Sequence, residues 1–93
     1  MGITVKFIGA LRHVSGGNSQ IIDCAECSVR ELIGKISGSS PDLKRDLLGG
    51  EGENVRPNSL VLVNGREISV LDGLDTVLKD DDEVVFIPVV HGG

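Results

Sequence analysis

With 93 residues, the chain can form one domain with a single core and has little room for a deep active-site pocket as well. Fourteen acidic residues against nine basic ones give a net charge of −5, which argues against non-specific nucleic-acid binding. No apolar run approaches the roughly 20 residues that a membrane-spanning helix needs. The core is expected to be aliphatic, because Phe7 and Phe86 are the only aromatic residues.

The first part of the chain predicts a hairpin. Apolar residues alternate over residues 3–8, which is typical of a strand, and residues 20–22 form a second, shorter strand. The turn signal between them is Ser15-Gly16-Gly17-Asn18. Because the strand pattern begins so close to Met1, we see no signal peptide and expect a cytoplasmic protein.

Two helices are predicted next. Ser28 and Glu31 have the spacing of a capping box. One apolar helical stripe follows, formed by Val29, Leu32, Ile33 and Ile36, and Gly38 would end the helix. A second, shorter helix is predicted to begin with Ser40 as cap and Pro41 at its first position. Its inward residues would be Leu43, Leu47 and Leu48, before Gly49-Gly50 stops it.

The last third of the chain predicts three strands. Residues 51–58 indicate a loop, residues 60–63 a strand, Asn64-Gly65 a tight hairpin turn, and residues 66–68 a short return strand. Residues 71–78 are rich in turns. The last strand covers residues 83–87, and Pro88 marks the point where the chain leaves the ladder.

This order of elements predicts an α+β fold in which one main helix packs on a mixed sheet of about four to five strands. The first and last strands are expected to pair in the centre. The domain would span residues 1–88, and residues 89–93 would form a flexible tail. If Val84, Phe86 and Val61 face the helix, alternation places Leu62, Val85 and Ile87 on the outer face as an apolar, partner-binding patch.

The cysteines and acidic residues do not predict a catalytic or metal site. Cys24 and Cys27 form one C-x-x-C, which is half of the ligand set of a typical zinc site. We interpret them as small, partly buried thiols kept reduced in the cytosol. The run Asp80-Asp81-Asp82 is expected to be a solvated turn. Since no nucleophile–base arrangement can be placed, we expect no enzymatic activity. Since no second ligand pair accompanies the C-x-x-C, we expect no bound metal.

The last third of the chain closely resembles the sulfur-carrier branch of the ubiquitin-like proteins, which have the β-grasp fold. This branch includes the small subunit of molybdopterin synthase (MoaD), the thiamine carrier ThiS, the ubiquitin-related modifiers and the small archaeal modifier proteins. The resemblance rests on the run 60–65, on Leu71-Asp72-Gly73-Leu74-Asp75 with Leu78, Asp80 and Asp82, and on residues 84–93, which include the diglycine.

The resemblance implies that the working group is the carboxylate of Gly93. A partner adenylating enzyme would activate it with ATP and magnesium, and a sulfur donor would then convert it to a thiocarboxylate. Gly92 and His91 would be needed for activation. Gly92 and Gly93 have no Cβ, so the end of the tail can enter a narrow channel, and His91 would bias how the tail docks. The carrier itself would bind no cofactor.

Three alternatives to the sulfur carrier remain open. Two of them use the same tail, and one does not. A protein modifier would join Gly93 to lysines of target proteins through isopeptide bonds. A stable subunit, as in molybdopterin synthase, would insert its tail permanently into a large subunit. A β-grasp binding module would use no terminal chemistry at all. Nothing in the sequence indicates a homo-oligomer, so we expect a monomer.

Overall fold

Alternating apolar residues build the central strands of a sheet, as the sequence predicts. The computed structural model describes residues 2–9, 19–24, 26–38, 41–49 and 56–88, with the side chains of Asp46 and Arg56 left out. The elements in chain order are strands β1 (Ile3–Phe7) and β2 (Ser19–Ile22), helices α1 (Val29–Ile36) and α2 (Pro41–Leu47), and strands β3 (Leu48–Gly49), β4 (Arg56–Pro57), β5 (Ser59–Val63), β6 (Arg66–Glu67) and β7 (Glu83–Pro88). Short 3-10 helices cover Ile68–Val70 and Gly73–Asp75.

Five of these strands form one mixed sheet in the order β2-β1-β7-β5-β6. Strands β1 and β7 are parallel, with Val5 opposite Val84, and the other neighbours are antiparallel. The predicted central pairing of the first and last strands is therefore confirmed. Because β1 and β7 run the same way, Pro88 lies at the end of the sheet where β1 ends.

Helix α1 covers the inner face of the sheet. Its predicted capping box is present, since the Glu31 amide donates to Ser28 Oγ and the Ser28 amide donates to Glu31 Oε1, each at 3.1 Å. The predicted stripe is buried at Val29, Leu32 and Ile33. These side chains belong to one core with the inward residues of the sheet, among them Val5, Phe7, Val61, Val84 and Phe86.

The segment after α1 differs from the prediction. Helix α2 begins at Pro41 as expected, with Leu43 and Leu47 buried, and the predicted cap Ser40 lies outside the described residues. Leu48 does not continue the helix, because it pairs with Pro57 in a two-stranded ribbon of β3 and β4. The expected loop over residues 51–58 is thus wrong at its end, where the Asn58 amide also donates to the Leu47 carbonyl at 2.8 Å.

Helix α1 ends at Ile36 with Ser37 as its C-cap, so the residue after the cap is Gly38, the glycine predicted to end the helix. Two smaller differences concern the ends of strands. The return strand β6 stops at Glu67, and Ile68 turns inward as the first residue of a 3-10 helix. Pro88 has not left the ladder, because it still lies opposite Ser59 as the last residue of β7. The predicted turn at residues 15–18 lies outside the described residues, and no helix that the structure describes is long and apolar enough to cross a membrane.

Candidate partner-binding site

The outer face of the sheet carries an apolar patch on its central strands. Leu62 lies opposite Val85, and Leu60 lies opposite Ile87, on the antiparallel pair β5 and β7. The residues next to them along each strand are buried on the inner face, so alternation sends these four side chains outward. We call Leu60, Leu62, Val85 and Ile87 the outer patch. The structure thus brings the three predicted patch residues together, and it adds Leu60.

Leu60 is a residue that the sequence analysis missed. It is 36% exposed, whereas the three predicted residues are partly buried. The signal was present, because Leu60 and Leu62 are two positions apart on one strand and must share a face. Ile8, at the end of β1, is also exposed and adds apolar surface near this end of the sheet.

Charged side chains border the outer patch. Lys6 lies opposite Val85 on the neighbouring strand, and its Nζ is 3.0 Å from Glu83 Oε2 in an ion pair that is nearly half exposed. On the other side, Glu67 lies opposite Leu62. The Glu67 carboxylate accepts hydrogen bonds from the amide and the hydroxyl of Ser69. An apolar centre with a polar rim is the usual anatomy of a protein–protein interface.

The outer patch extends along β5 and β7 to their last pair of residues. Leu60 opposite Ile87 is followed directly by Ser59 opposite Pro88, the last described residue of the chain. Gly9 sits against this end with φ +64°, and a Cβ there would lie 3.3 Å from Pro88 Cγ. The close approach of the Gly9 backbone therefore helps to fix Pro88. The predicted tail residues His91, Gly92 and Gly93 lie outside the described residues.

A cleft of about 340 Å³ opens beside the start of β5. It is lined mainly by apolar groups, including Pro57, Val61 and Ile68. Ser59 also lines it, and its buried hydroxyl has no hydrogen-bond partner. The described residues contain no cluster of three or more side chains able to hold a metal ion.

Two side chains of the acidic run at residues 80–82 accept hydrogen bonds that hold the turn before β7 in place. Asp82 Oδ2 accepts from the Lys79 amide at 2.8 Å, and Asp82 Oδ1 accepts from Asn64 Nδ2 at 2.9 Å. Asp80 Oδ1 accepts from the Gly2 amide at 3.2 Å. These bonds fasten the turn before β7 to the N-terminus and to the β5–β6 hairpin.

The expectation of two reduced thiols is wrong in this structure, because Cys24 and Cys27 are joined by a disulfide. Their Cα atoms are 5.7 Å apart, a distance that a disulfide spans. The C-x-x-C spacing is equally compatible with free thiols, half a metal site and a closed bridge, so the sequence did not distinguish them. The pair follows β2 at the Ile3 end of the sheet, opposite to Pro88.

Comparison with known proteins gives a consistent family. Residues 5–93 match the model of the ThiS family. The ubiquitin-related modifier 1 of Mycosarcoma maydis is 43% identical over 68 residues, which are 73% of this chain and 63% of that protein. Other ubiquitin-related modifiers, such as one of Arabidopsis thaliana that is 51% identical, match over 43% of their length. The matched part therefore spans about half the length of these relatives.

Solved structures show the same fold. The solution structure of small archaeal modifier protein 1 from Methanosarcina acetivorans superimposes with a TM-score of 0.80 at 30% identity, covering 98% of this chain and 95% of that one. The crystal structure of the BexX/CysO complex of Amycolatopsis orientalis contains a chain with a TM-score of 0.75 at 27% identity, covering 98% and 99%. The predicted β-grasp, ubiquitin-like fold is confirmed.

Proposed function

Because this chain belongs to the ThiS family of ubiquitin-like sulfur carriers and modifiers, we propose that it carries sulfur as a thiocarboxylate on Gly93. The observation that carries the proposal is the continuity of the outer patch with the start of the tail at Pro88. When a partner protein binds the outer patch, the segment after Pro88 starts at the edge of the interface and can reach the partner's surface. Five residues reach at most about 17 Å when extended, which is enough to enter a partner's active site.

The proposed chemistry places the catalysis on the partner. The Gly93 carboxylate attacks the α-phosphorus of ATP, which a magnesium ion accompanies, and pyrophosphate leaves. Hydrosulfide from a sulfur donor then attacks the acyl-adenylate carbonyl, AMP leaves, and a thiocarboxylate remains. A carboxylate is ionised near neutral pH and is a poor electrophile without such activation. Glycine suits both steps, because Gly93 puts no Cβ beside the reacting carbonyl and Gly92 can adopt any φ.

The partner in this proposal is a protein with an adenylating site. An apolar surface of four side chains with Lys6, Glu83 and Glu67 at its rim fits a complementary protein face better than a small ligand. One structural neighbour was solved in a complex, BexX/CysO, which supports a protein partner for this chain. The large subunit of molybdopterin synthase is a second partner of the same kind.

A second function, attachment to target proteins, is favoured by the similarity to ubiquitin-related and small archaeal modifiers. It would use the same acyl-adenylate and end in an isopeptide bond to a lysine. The two functions differ in the acceptor, sulfur or amine, so they can coexist in one chain. If the chain acts as a sulfur carrier, its sulfur would be used to thiolate tRNA or a molybdopterin precursor.

The decisive experiment is intact mass spectrometry after incubation with ATP, magnesium, a sulfide source and the adenylating enzyme of the same cell. We expect the mass of the chain to increase by the difference between sulfur and oxygen, because sulfur replaces one oxygen of the Gly93 carboxylate. Gly93→Ala, His91→Ala and deletion of Gly92-Gly93 should reduce or abolish that gain. Gly34→Ala is the matched control, because a Cβ at this exposed helical position meets nothing within 4 Å. If the native chain stays unmodified and forms no conjugates, the proposal is wrong, and the chain would instead be a β-grasp binding module without terminal chemistry.

A further inference from the structure

The disulfide between Cys24 and Cys27 closes the turn that leads from β2 into α1. Cys24 and Cys27 are 5% and 8% exposed, and both belong to the hydrophobic core. The turn also has a hydrogen bond of its own, from the Cys27 amide to the Cys24 carbonyl at 3.4 Å. Between them, Glu26 has φ 59°, a left-handed conformation that residues other than glycine, asparagine and aspartate rarely adopt. The bridge therefore closes a turn whose backbone includes a left-handed residue.

The backbone after the bridge is fastened to the segment before β7. The Leu78 amide donates to the Cys27 carbonyl at 2.7 Å, and the Val29 amide donates to the Thr76 carbonyl at 3.0 Å. Ser28, the N-cap of α1, forms an isolated β-bridge with Val77. Whatever fixes Cys27 thus also fixes the start of α1 against this segment.

We propose that Cys24 and Cys27 are a reversible thiol–disulfide site whose state sets how firmly the start of α1 is held. The reaction partner would be a dithiol reductant. One of its thiolates attacks the sulfur of one cysteine, the S–S bond breaks, the other cysteine leaves as a thiolate, and a mixed disulfide forms. The second thiolate of the reductant then attacks the reductant's own sulfur in that mixed disulfide and displaces the first cysteine, so that two thiols remain on the chain and the reductant carries the disulfide. In a reducing compartment, disulfides that form are mostly transient or redox-sensing.

This inference does not depend on the carrier function. The cysteine pair and the outer patch lie at different places in the sheet, and the bridge follows β2 at the end opposite to Pro88. Reduction should therefore change stability without altering the surface near the tail. Burial of both cysteines also means that the turn has to open before a reductant reaches the sulfurs.

The test compares the chain equilibrated with oxidised glutathione with the chain reduced by excess dithiothreitol. Mass spectrometry with iodoacetamide should find two protected cysteines in the first sample and two alkylated ones in the second. The oxidised form should melt roughly 5–10 °C higher, as expected for a short closed loop in a small domain. The double variant Cys24→Ala/Cys27→Ala should melt at one temperature under both conditions.

Hydrogen exchange separates this local effect from a general one. In the reduced form the amides of Val29 and Leu78 should exchange about tenfold faster or more, whereas amides of the β5–β7 ladder should change much less. The proposal is overturned if the pair stays open in oxidised glutathione, if both forms melt together, or if all amides accelerate equally.

Discussion

The rings of Phe7 and Phe86 stack in the core with their centroids 5.6 Å apart and their planes 16° from parallel. The two residues are also register partners on the parallel strands β1 and β7, and Phe86 faces Val61 on the other side. In a core that is otherwise aliphatic, this pair fills the centre and joins three strands. The packing of the central strands therefore depends strongly on this one pair of rings.

Replacing Phe86 by alanine should lower the free energy of unfolding by about 3–5 kcal/mol, because the cavity would lie in the fully buried centre of the core. Urea unfolding measures the change. Val85→Ala on the outer face of the same strand is the control, with an expected loss of about 1 kcal/mol. Equal losses for both variants would contradict the assignment of inner and outer faces.

Polar substitutions in the outer patch should weaken binding to the adenylating partner while the fold persists. The double variant Leu60→Ser/Ile87→Ser removes one cross-strand pair, and we expect its dissociation constant to rise about tenfold or more, since buried apolar anchors dominate such interfaces. Ile21→Ser is the control. It is 71% exposed on the same face but lies on the edge strand β2.

Isothermal titration calorimetry at one protein concentration and salt condition compares these variants, with circular dichroism to check folding. Binding that is unchanged in the double variant but lost in Ile21→Ser would move the contact surface from β5 and β7 to the β2 edge.

Removing the Asp82 carboxylate should cost about 1–2 kcal/mol of stability, because the Lys79 amide and the Asn64 side chain would lose their acceptor. Asp75→Ala removes the same charge from an exposed ion pair with Arg30, and should cost less than about 1 kcal/mol. Chemical denaturation of both variants measures the difference. An Asp82→Ala variant as stable as the native chain would show that solvent replaces both bonds.

The capping box predicts a position-specific effect at Ser28. Ser28→Ala should lower stability by about 1 kcal/mol, since the Glu31 amide loses its acceptor at the start of α1. Ser28→Asp keeps an acceptor and adds a negative charge near the helix N-terminus, so it should restore most of the loss. Thermal melts at neutral pH test both changes, and a similar loss in the two variants would argue against the cap as the cause.

The sequence predicted those parts of the molecule whose pattern repeats over several residues. Alternation over β1, β5 and β7 fixed which side chains face the core, and it therefore located Leu62, Val85 and Ile87 on one outer surface. The helical stripe and the capping box identified α1. The assignment of function to Gly93 came from a resemblance in the last third of the chain, and it stays a prediction.

Features that depend on contacts between distant short segments could not be predicted in this way. Strands β3 and β4 have two residues each, too few for any periodicity, and they exist because Leu48 meets Pro57 across a connection. The state of Cys24 and Cys27 was missed for a different reason. A thiol pair, a disulfide and half a metal site share one spacing, so the spacing alone does not distinguish them.

Strand β7 is the last described strand to be synthesised, yet it occupies the middle of the sheet between β1 and β5. In a nascent chain that ends before residue 83, the hairpins β1–β2 and β5–β6 are not joined and helix α1 has no complete sheet to cover, and an isolated hairpin is barely stable in water. Folding must therefore wait until translation has passed β7. Incomplete chains would stay open to proteases, so the molecules that survive in the cell would be enriched in those that extend through β7.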